Sequence, residues 1–503
     1  MSPFRLRPPS PSAPLANAAL LVVALAGALL LAYGLAVRHG VALSDEYVYV
    51  AGARYLADTG SLHARYYSAN AILAQGHPHQ DMHPPGYVLL LGGLTRLLPF
   101  GYWTAVLLNV AAYLGGALAV RSLSRSLGVG ESGATAAGIV FLFLPGYLPY
   151  VYWALPEVMV GALLAVVAAV TGRAGSRAAG AAAGVAFGLA LLVRESAIFG
   201  LPAVLVLAAD RKRVRAFSAG AALMILCVYV PLSRHRAEGG TNFWRPTATD
   251  SAFAFDALRD GLAGAPLRAL DRVRQQASAN ASTFRDHYSG IEKAILAFDA
   301  ALLPLSLLGW RVRTPLQRRY LVAVAAGFLA LALAMLTLFE VPPWSGVRYW
   351  MLFPPLLLPL AMDAGAAAGR AAAARWVLSG AVAAGAVLDV AVLLNFNAYK
   401  ASRQERQEHL TDYVDQRVGG APLTRVVLEN GWLFGLRHYP VEVLTTPPPD
   451  FDSLRLLQRD LWFDYVVAAP GSALDGGLAR TGRYQRVNGS EAEAPLAIYR
   501  RLR

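Results

Sequence analysis

The chain contains a single cysteine, Cys227, and few charged residues. One cysteine excludes an intrachain disulfide and a cysteine-based metal site. Charged residues make up 15% of the 503 residues, whereas soluble domains average about 25%. The net charge of +13 is not arranged as a basic stripe interleaved with stacking aromatics, so the sequence argues against nucleic acid as a partner.

Apolar residues are abundant instead and make up 56% of the chain, with a mean hydropathy of +0.43. They cluster in runs long enough to cross a lipid bilayer, which predicts a polytopic bundle of about eleven transmembrane helices. The predicted spans cover residues 17–37, 102–121, 133–150, 155–171, 178–193, 195–209, 216–232, 293–310, 319–339, 348–363 and 376–395.

The basic residues fall mainly in short loops between these runs, which is typical of loops that face the cytoplasm. The loops alternate correctly only if the shorter apolar run 84–98 does not cross. We therefore predict a multi-pass protein of the cytoplasmic membrane, with a cytoplasmic tail (1–16), a membrane domain (17–395) and a periplasmic or extracellular C-terminus. The larger outer loops are 38–101 and 233–292.

The tail beyond the last span has a different pattern. Its apolar, β-rich runs RVVLEN, VEVLTT and DYVVAAP alternate with the helix-like FDSLRLLQRDL. This alternation predicts a small extracytoplasmic α/β domain over residues 396–503.

Acidic residues stand where the chain leaves the predicted membrane. Asp45 and Glu46 follow the first span in SDEYVYVAGARYL, and Glu157 opens a later span in LPEVMVGALL. Acids in a first helical turn complement the helix dipole, which is one interpretation of all three. The alternative is catalytic, because a positioned carboxylate can take a proton from a hydroxyl and an acid inside a span is costly unless it has a role.

Histidines and an aspartate alternate in HPHQDMHPPG of the same outer loop. In an extended segment His77, His79, Asp81 and His83 would point to one side and could bind a divalent metal such as zinc, manganese or magnesium. The alternative is a polar loop with scattered histidines. The prolines after His83 start an apolar helix that contains Tyr87.

Two arginines lie at predicted outer mouths of spans, where basic residues are not expected. Arg194 interrupts the long apolar stretch LLVRESAIFGLP, and Arg348 and Tyr349 occur in VPPWSGVRYWMLFPP. The plain interpretation is a local Arg–Glu pair and an aromatic belt. The functional interpretation is a pair of guanidinium groups that bind an anionic headgroup.

These motifs together resemble the GT-C superfamily of membrane glycosyltransferases, in its protein O-mannosyltransferase and aminoarabinose-transferase branch. The resemblance rests on SDEYVYVAGARYL, HPPGYVLLLG, LPEVMVGALL and the Arg-Glu and Arg-Tyr pairs, and it covers about residues 17–360. It implies the GT-C fold, with juxtamembrane helices beside the spans. Family members differ in their need for a metal, so the resemblance leaves a divalent-metal cofactor open.

The resemblance also implies roles for individual residues. Asp45 would be the catalytic base, supported by Glu46, and Glu157 would occupy a second acidic position. Arg194 and Arg348 would lie near the donor phosphate, with His83, Tyr87 and Tyr349 lining the substrate cavity. The implied reaction is inverting transfer of a sugar from a polyprenyl-phosphate-linked donor, at the membrane lipid surface, to a glycan, lipid or protein acceptor.

Two other classes of function stay open from the sequence. A lipid-linked-glycan flippase or other transporter would also need many spans and intramembrane charges. A structural anchor that presents the tail would need neither the number of spans nor the charged outer mouths.

Overall fold

The computed structural model describes residues 13–36, 44–60, 66–68, 84–98, 102–173, 175–208, 210–234, 266–337, 346–367, 383–395, 425–428, 442–446, 464–488 and 496–502, with isolated positions between 380 and 417. Helices dominate this part of the chain. They are α1 (Ala13–Ala36), α2 (Ser44–Thr59), α3 (Gly86–Leu97), α4 (Tyr102–Ser126), α5 (Glu131–Phe141), α6 (Tyr147–Val151), α7 (Glu157–Arg173), α8 (Arg177–Val193), α9 (Leu201–Ala208), α10 (Arg211–Arg234), α11 (Pro266–His287), α12 (Gly290–Leu307), α13 (Pro315–Thr337), α14 (Pro354–Ala367), α15 (Ala383–Asn395) and α16 (Ala473–Arg480). Short 3-10 turns cover Glu195–Gly200, Trp310–Val312 and Gly346–Leu352.

By length and apolar composition, two helices in the described part of the chain could cross a membrane, α4 and α13. The count of eleven spans therefore stays a prediction. Helix α3 covers most of the run 84–98 with 12 residues, a length of about 18 Å. That length is well short of the roughly 30 Å of a bilayer's apolar core.

Several apolar runs that the sequence predicted as single spans are broken, among them 133–150 and 195–209. The run 133–150 divides into α5 and α6, because Pro145 lacks an N–H and Gly146 turns the chain with φ +86°. The run 195–209 starts as the 3-10 turn Glu195–Gly200 before α9 continues it. Both breaks lie close to the residues of the candidate site described below.

The helical core is rich in buried aromatic side chains. Tyr49 of α2, Tyr87 of α3 and Tyr113 of α4 are among the largest side chains that are fully buried. The rings of Tyr49 and Tyr87 meet edge to face with centroids 5.1 Å apart, an arrangement that aromatic pairs favour. This contact joins α2 to α3, and both helices precede α4 in the chain.

A six-stranded sheet lies near the end of the chain, with the order β1-β3-β2-β4-β6-β5. Its strands are β1 (Tyr66–Ser68), β2 (Arg425–Leu428), β3 (Glu442–Thr446), β4 (Tyr465–Ala468), β5 (Tyr484–Arg486) and β6 (Ala497–Arg501). Strands β1 to β4 pair in parallel, whereas β4, β6 and β5 pair antiparallel. Strands β2, β3 and β4 lie in the three segments that the sequence predicted as strands, and the predicted helix FDSLRLLQRDL lies outside the described residues.

Strand β1 comes from the loop between α2 and α3, and the sequence did not predict it. It pairs with β3 through Tyr66↔Val443 and Tyr67↔Leu444, and the register shifts before Ser68. The loop that follows α2 is thus joined by backbone pairing to a sheet built mostly from the C-terminal tail.

Candidate functional site

Glu157 lies between two arginines at one end of the helical bundle. It is the first residue of α7, and its Oε1 lies 3.2 Å from Nη1 of Arg194 and 3.7 Å from Nε of Arg348. All three side chains are buried, with exposures of 1%, 6% and 7% in that order. One carboxylate therefore holds two guanidinium groups that come from distant parts of the chain.

Local backbone breaks place both arginines. Arg194 ends α8 in an extended conformation (φ −157°, ψ 125°) and precedes the 3-10 turn Glu195–Gly200. Arg348 lies within the 3-10 turn Gly346–Leu352. In a continuous helix the direction of each side chain would be set by the helical repeat. The turns change that direction, and both arginine side chains reach Glu157 at the start of α7.

The ring of Tyr349 lies beside both arginines. Its centroid is 4.9 Å from Cζ of Arg194 and 5.4 Å from Cζ of Arg348, within the range of a cation–π interaction. The aromatic belt stays an alternative interpretation of Tyr349, and the structure adds the contact of its ring with the two cations.

Glu46 is fully buried and holds the turn before α7. Its carboxylate accepts hydrogen bonds from the Tyr102 hydroxyl and from the backbone N–H of Ala154, the latter at 3.1 Å. The Tyr102 hydroxyl itself lies within hydrogen-bond distance of the Tyr152 carbonyl, at 3.2 Å. Glu46 thus connects α2 with the segment that leads into Glu157, a positioning role rather than an exposed reactive one.

Asn109, in the middle of α4, is a site residue that the sequence analysis missed. Its side-chain amide donates to the carbonyls of Tyr150 (3.4 Å), Trp153 and Leu155 (3.2 Å). Its Oδ1 accepts from the Tyr87 hydroxyl at 3.2 Å. A fully polar amide within an apolar run was the available signal, since such residues need partners inside a membrane.

Asp389 of α15, which the sequence analysis also missed, binds the backbone at the start of α6. Its Oδ1 accepts the N–H of Gly146 at 2.5 Å, and its side chain is 2% exposed. The carboxylate replaces the partner that a continuous helix would have given this N–H. The start of α6 is therefore tied to the last helix of the bundle.

Gly86 brings α3 against the end of α8. A Cβ at this position would lie 2.5 Å from the Leu192 carbonyl carbon and 2.6 Å from the Val193 nitrogen. These are backbone atoms directly before Arg194, so they cannot turn aside as a side chain would. The glycine of the His-Pro-Pro-Gly-Tyr motif is what allows Tyr87 and Arg194 to occupy neighbouring positions.

The structure brings most of the predicted site residues into one region. Those with described side chains are Glu46, Tyr87, Glu157, Arg194, Arg348 and Tyr349. Asp45 lies in the first turn of α2, and its side chain is outside the described part of the chain. The same holds for the predicted metal ligands His77, His79 and Asp81 and for His83; the described residues contain no group of three or more His, Cys, Asp or Glu side chains that could hold a metal ion.

Comparison with known proteins supports the fold through structure alone. No protein-family model matches the chain, and no curated protein does. Solved structures match it along most of its length, and this likeness concerns the fold.

One match is ArnT from Cupriavidus metallidurans in the apo state, with 16% identity and a TM-score of 0.60 over 96% of this chain and 98% of that one. The same protein bound to undecaprenyl phosphate gives 16% identity and a TM-score of 0.57 over 97% and 98%. The Archaeoglobus fulgidus oligosaccharyltransferase, tethered to an acceptor peptide with the NVT sequon, gives 11% identity and a TM-score of 0.54 over 90% of this chain and 69% of that chain.

Proposed function

We propose that this protein transfers a sugar from a polyprenyl-phosphate-linked donor to an acceptor at the outer face of the cytoplasmic membrane. The proposal depends mainly on one observation. Arg194 and Arg348 both form ion pairs with Glu157, beside the start of α2. The fold adds support, because ArnT has been solved with undecaprenyl phosphate and the archaeal enzyme AglB with a dolichol-phosphate.

In this proposal Arg194 and Arg348 bind the donor phosphate. Guanidinium groups match phosphate geometry and hold it with charge-assisted hydrogen bonds. Glu157 and the Tyr349 ring keep the two cations in place before the donor arrives, so little reorganisation is needed as negative charge develops on the leaving phosphate.

Asp45 acts as the base. Its carboxylate takes the proton of an acceptor hydroxyl while that oxygen forms a bond to the anomeric carbon. The bond from that carbon to the phosphate oxygen breaks on the opposite face, and its electron pair leaves with the polyprenyl phosphate. One such displacement inverts the configuration of the sugar.

The position of Asp45 on α2 is compatible with this role. Asp45 precedes Tyr49 by one helical turn, and Tyr49 contacts Tyr87 and lies within electrostatic range of Arg194. Glu46 keeps the start of α2 against the turn before α7 through Ala154. The base and the phosphate-binding arginines would thus belong to one packed unit.

The orientation follows from the opposite end of the bundle. Helix α4 has 25 residues, so its ends lie about 37 Å apart. Tyr102 is at the candidate-site end, and Arg121 and Arg125 lie toward the other. We place that basic end in the cytoplasm by the positive-inside rule, which puts the site outside.

The test separates binding from chemistry. Full-length protein and variants in detergent are titrated with undecaprenyl phosphate, with undecaprenol as the uncharged control, and a deletion strain that carries each variant is analysed for surface glycans by mass spectrometry. Asp45→Asn should bind undecaprenyl phosphate within about 2-fold of wild type and give no glycan product.

Arg194→Gln should lose about 10- to 100-fold in undecaprenyl phosphate binding, as expected for a charge-assisted contact. Arg311→Gln, an exposed arginine of the 3-10 turn Trp310–Val312, is the matched control and should bind normally. Glycan product from Asp45→Asn, or equal binding of the phosphate and the alcohol by wild type, would refute the proposal.

A further inference from the structure

Three arginines gather around one carboxylate at the end of the bundle far from Glu157. Arg121 donates a hydrogen bond to Oε1 of Glu131, and Nε of Arg125 lies 3.2 Å from its Oε2. Arg173 ends α7 and lies within electrostatic range of Arg121 and Arg125. We call Arg121, Arg125, Arg173 and Glu131 the distal cluster.

Positive charge exceeds negative charge in this cluster. Glu131 is the carboxylate within ion-pair distance of Arg121 and Arg125, and no ion pair of Arg173 occurs among the residues that the structure describes. Arg125 is half exposed, with 49% of its side chain accessible, and Arg173 is exposed as well. Two of the three guanidinium groups are therefore open to an anion from outside the protein.

The ends of α4 and α7 lie together beside the cluster. A Cβ at Gly172 would approach Oγ of Ser126 to 2.7 Å. The last carbonyl groups of α4 already have donors, since the N–H of Gly128 binds the Arg125 carbonyl at 3.0 Å and Nε2 of Gln317 binds the Leu127 carbonyl at 3.0 Å. The carbonyl oxygens of Arg125 and Leu127 are thus already paired and do not repel an anion as free acceptors would.

Exposed apolar side chains lie one turn deeper on the same helices. Leu118 is 38% exposed and precedes Arg121 by three residues, and Val170 is 37% exposed and precedes Arg173 by three. Residues at this spacing are neighbours on one helix surface. Each helix therefore ends in an exposed or partly exposed arginine and has an exposed apolar side chain one turn earlier. In a bilayer that apolar side chain would lie nearer the membrane interior.

We propose that the distal cluster binds the phosphate of an anionic phospholipid, with an acyl chain against Leu118 or Val170. A phosphodiester would neutralise positive charge on Arg125 and Arg173. Leu118 and Val170 would contact an acyl chain, which a free anion lacks. This lipid site is separate from the donor site, because the 17 residues of α7 separate Glu157 from Arg173 by about 24 Å. The inference rests on the membrane location of the protein and not on the proposed transfer reaction.

The test uses the purified full-length protein in detergent and measures retained lipid by native mass spectrometry. Wild type is titrated with a phosphatidylglycerol and, in parallel, with a phosphatidylcholine of the same acyl chains. We expect Arg125→Gln/Arg173→Gln to weaken phosphatidylglycerol binding by about 30-fold, or about 2 kcal/mol for two basic residues near a membrane surface. Phosphatidylcholine binding should not change.

Arg480→Gln/Arg483→Gln is the control, because it removes the same charge from two exposed arginines at the end of α16 and in the turn after it. It should keep phosphatidylglycerol binding within about 2-fold of wild type. If the distal variant proves unstable, Arg173→Gln alone should still lose about 5-fold. Equal loss in the control, no loss in the distal variants, or displacement of the lipid by millimolar inorganic phosphate would overturn the proposal.

Discussion

Gly86→Ala should damage the packing between α3 and α8. The new Cβ would lie 2.5 Å from the Leu192 carbonyl carbon, whereas carbon atoms pack best at about 3.5–4.0 Å. Relief requires the start of α3 to move by about 1 Å, because both sides of the contact are backbone. Overpacking of this kind costs about 1–3 kcal/mol.

The displacement would also reach the candidate site. Tyr87 follows Gly86 directly, and its hydroxyl bond to Asn109 is already 3.2 Å long. A shift of about 1 Å would break that bond and loosen the Asn109 contacts with the turn before Glu157. Small misplacements near reacting groups cost up to about 100-fold in rate. We therefore expect the amount of glycan product to fall by more than the amount of folded protein does.

Gly93→Ala is the control within the same helix. A Cβ at Gly93 meets no atom within 4 Å, and alanine in a helix interior is favoured over glycine by about 0.5–1 kcal/mol. The assay is the free energy of unfolding from a denaturing-detergent titration in mixed micelles, together with the glycan analysis in the deletion strain. We expect Gly86→Ala to be less stable and Gly93→Ala more stable than wild type, with a difference of about 1.5–4 kcal/mol between the two variants. Equal stability would refute the close approach of α3 and α8.

Asn109→Leu should lower the free energy of unfolding by about 2–4 kcal/mol, because the buried carbonyl groups before α7 lose their donor. The same denaturing-detergent titration measures this free energy, and an unchanged midpoint would contradict the Asn109 hydrogen bonds. Tyr102→Phe should cost about 1–3 kcal/mol, since the buried carboxylate of Glu46 loses a donor, and a more stable variant would disprove that assignment. Asn280 and Asn488 each begin an Asn-X-Ser sequence, but the first binds the Met335 carbonyl at 2.9 Å and the second the Leu496 carbonyl at 2.6 Å. Intact-mass measurement of protein from a glycosylating host should therefore find both unmodified, and a glycan on either would contradict these bonds.

The candidate site residues could be recognised in the sequence because each is unusual in its immediate surroundings. Glu157 and Arg194 are charged residues beside apolar runs, and such a placement is visible without knowledge of the fold. In the structure Oε1 of Glu157 lies 3.2 Å from Nη1 of Arg194. Their catalytic roles stay predictions, because geometry among protein atoms does not identify a substrate.

Other features depend on contacts that no local pattern encodes. Gly86 matters only because the backbone at Leu192 approaches it, and glycine is common throughout this chain. Strand β1 has three residues, too few for a period-2 pattern, and its partner β3 lies in the distant tail. The strands of the tail itself were easier to predict, since each is a β-rich run bounded by turn residues.

The breaks in the apolar runs explain why the candidate site lies where it does. A helix satisfies its own backbone, so departures from it within apolar surroundings are tolerated only where protein groups supply partners. Here Asn109 binds carbonyls of the turn before α7, and Asp389 binds the N–H of Gly146. Arg194 and Arg348 lie in or beside the other broken segments. Asn109 and Asp389 therefore stabilise broken segments, whereas Arg194 and Arg348 direct their side chains to Glu157. The polar residues within these apolar runs coincide with departures from regular helix, where local structural rules are expected to yield.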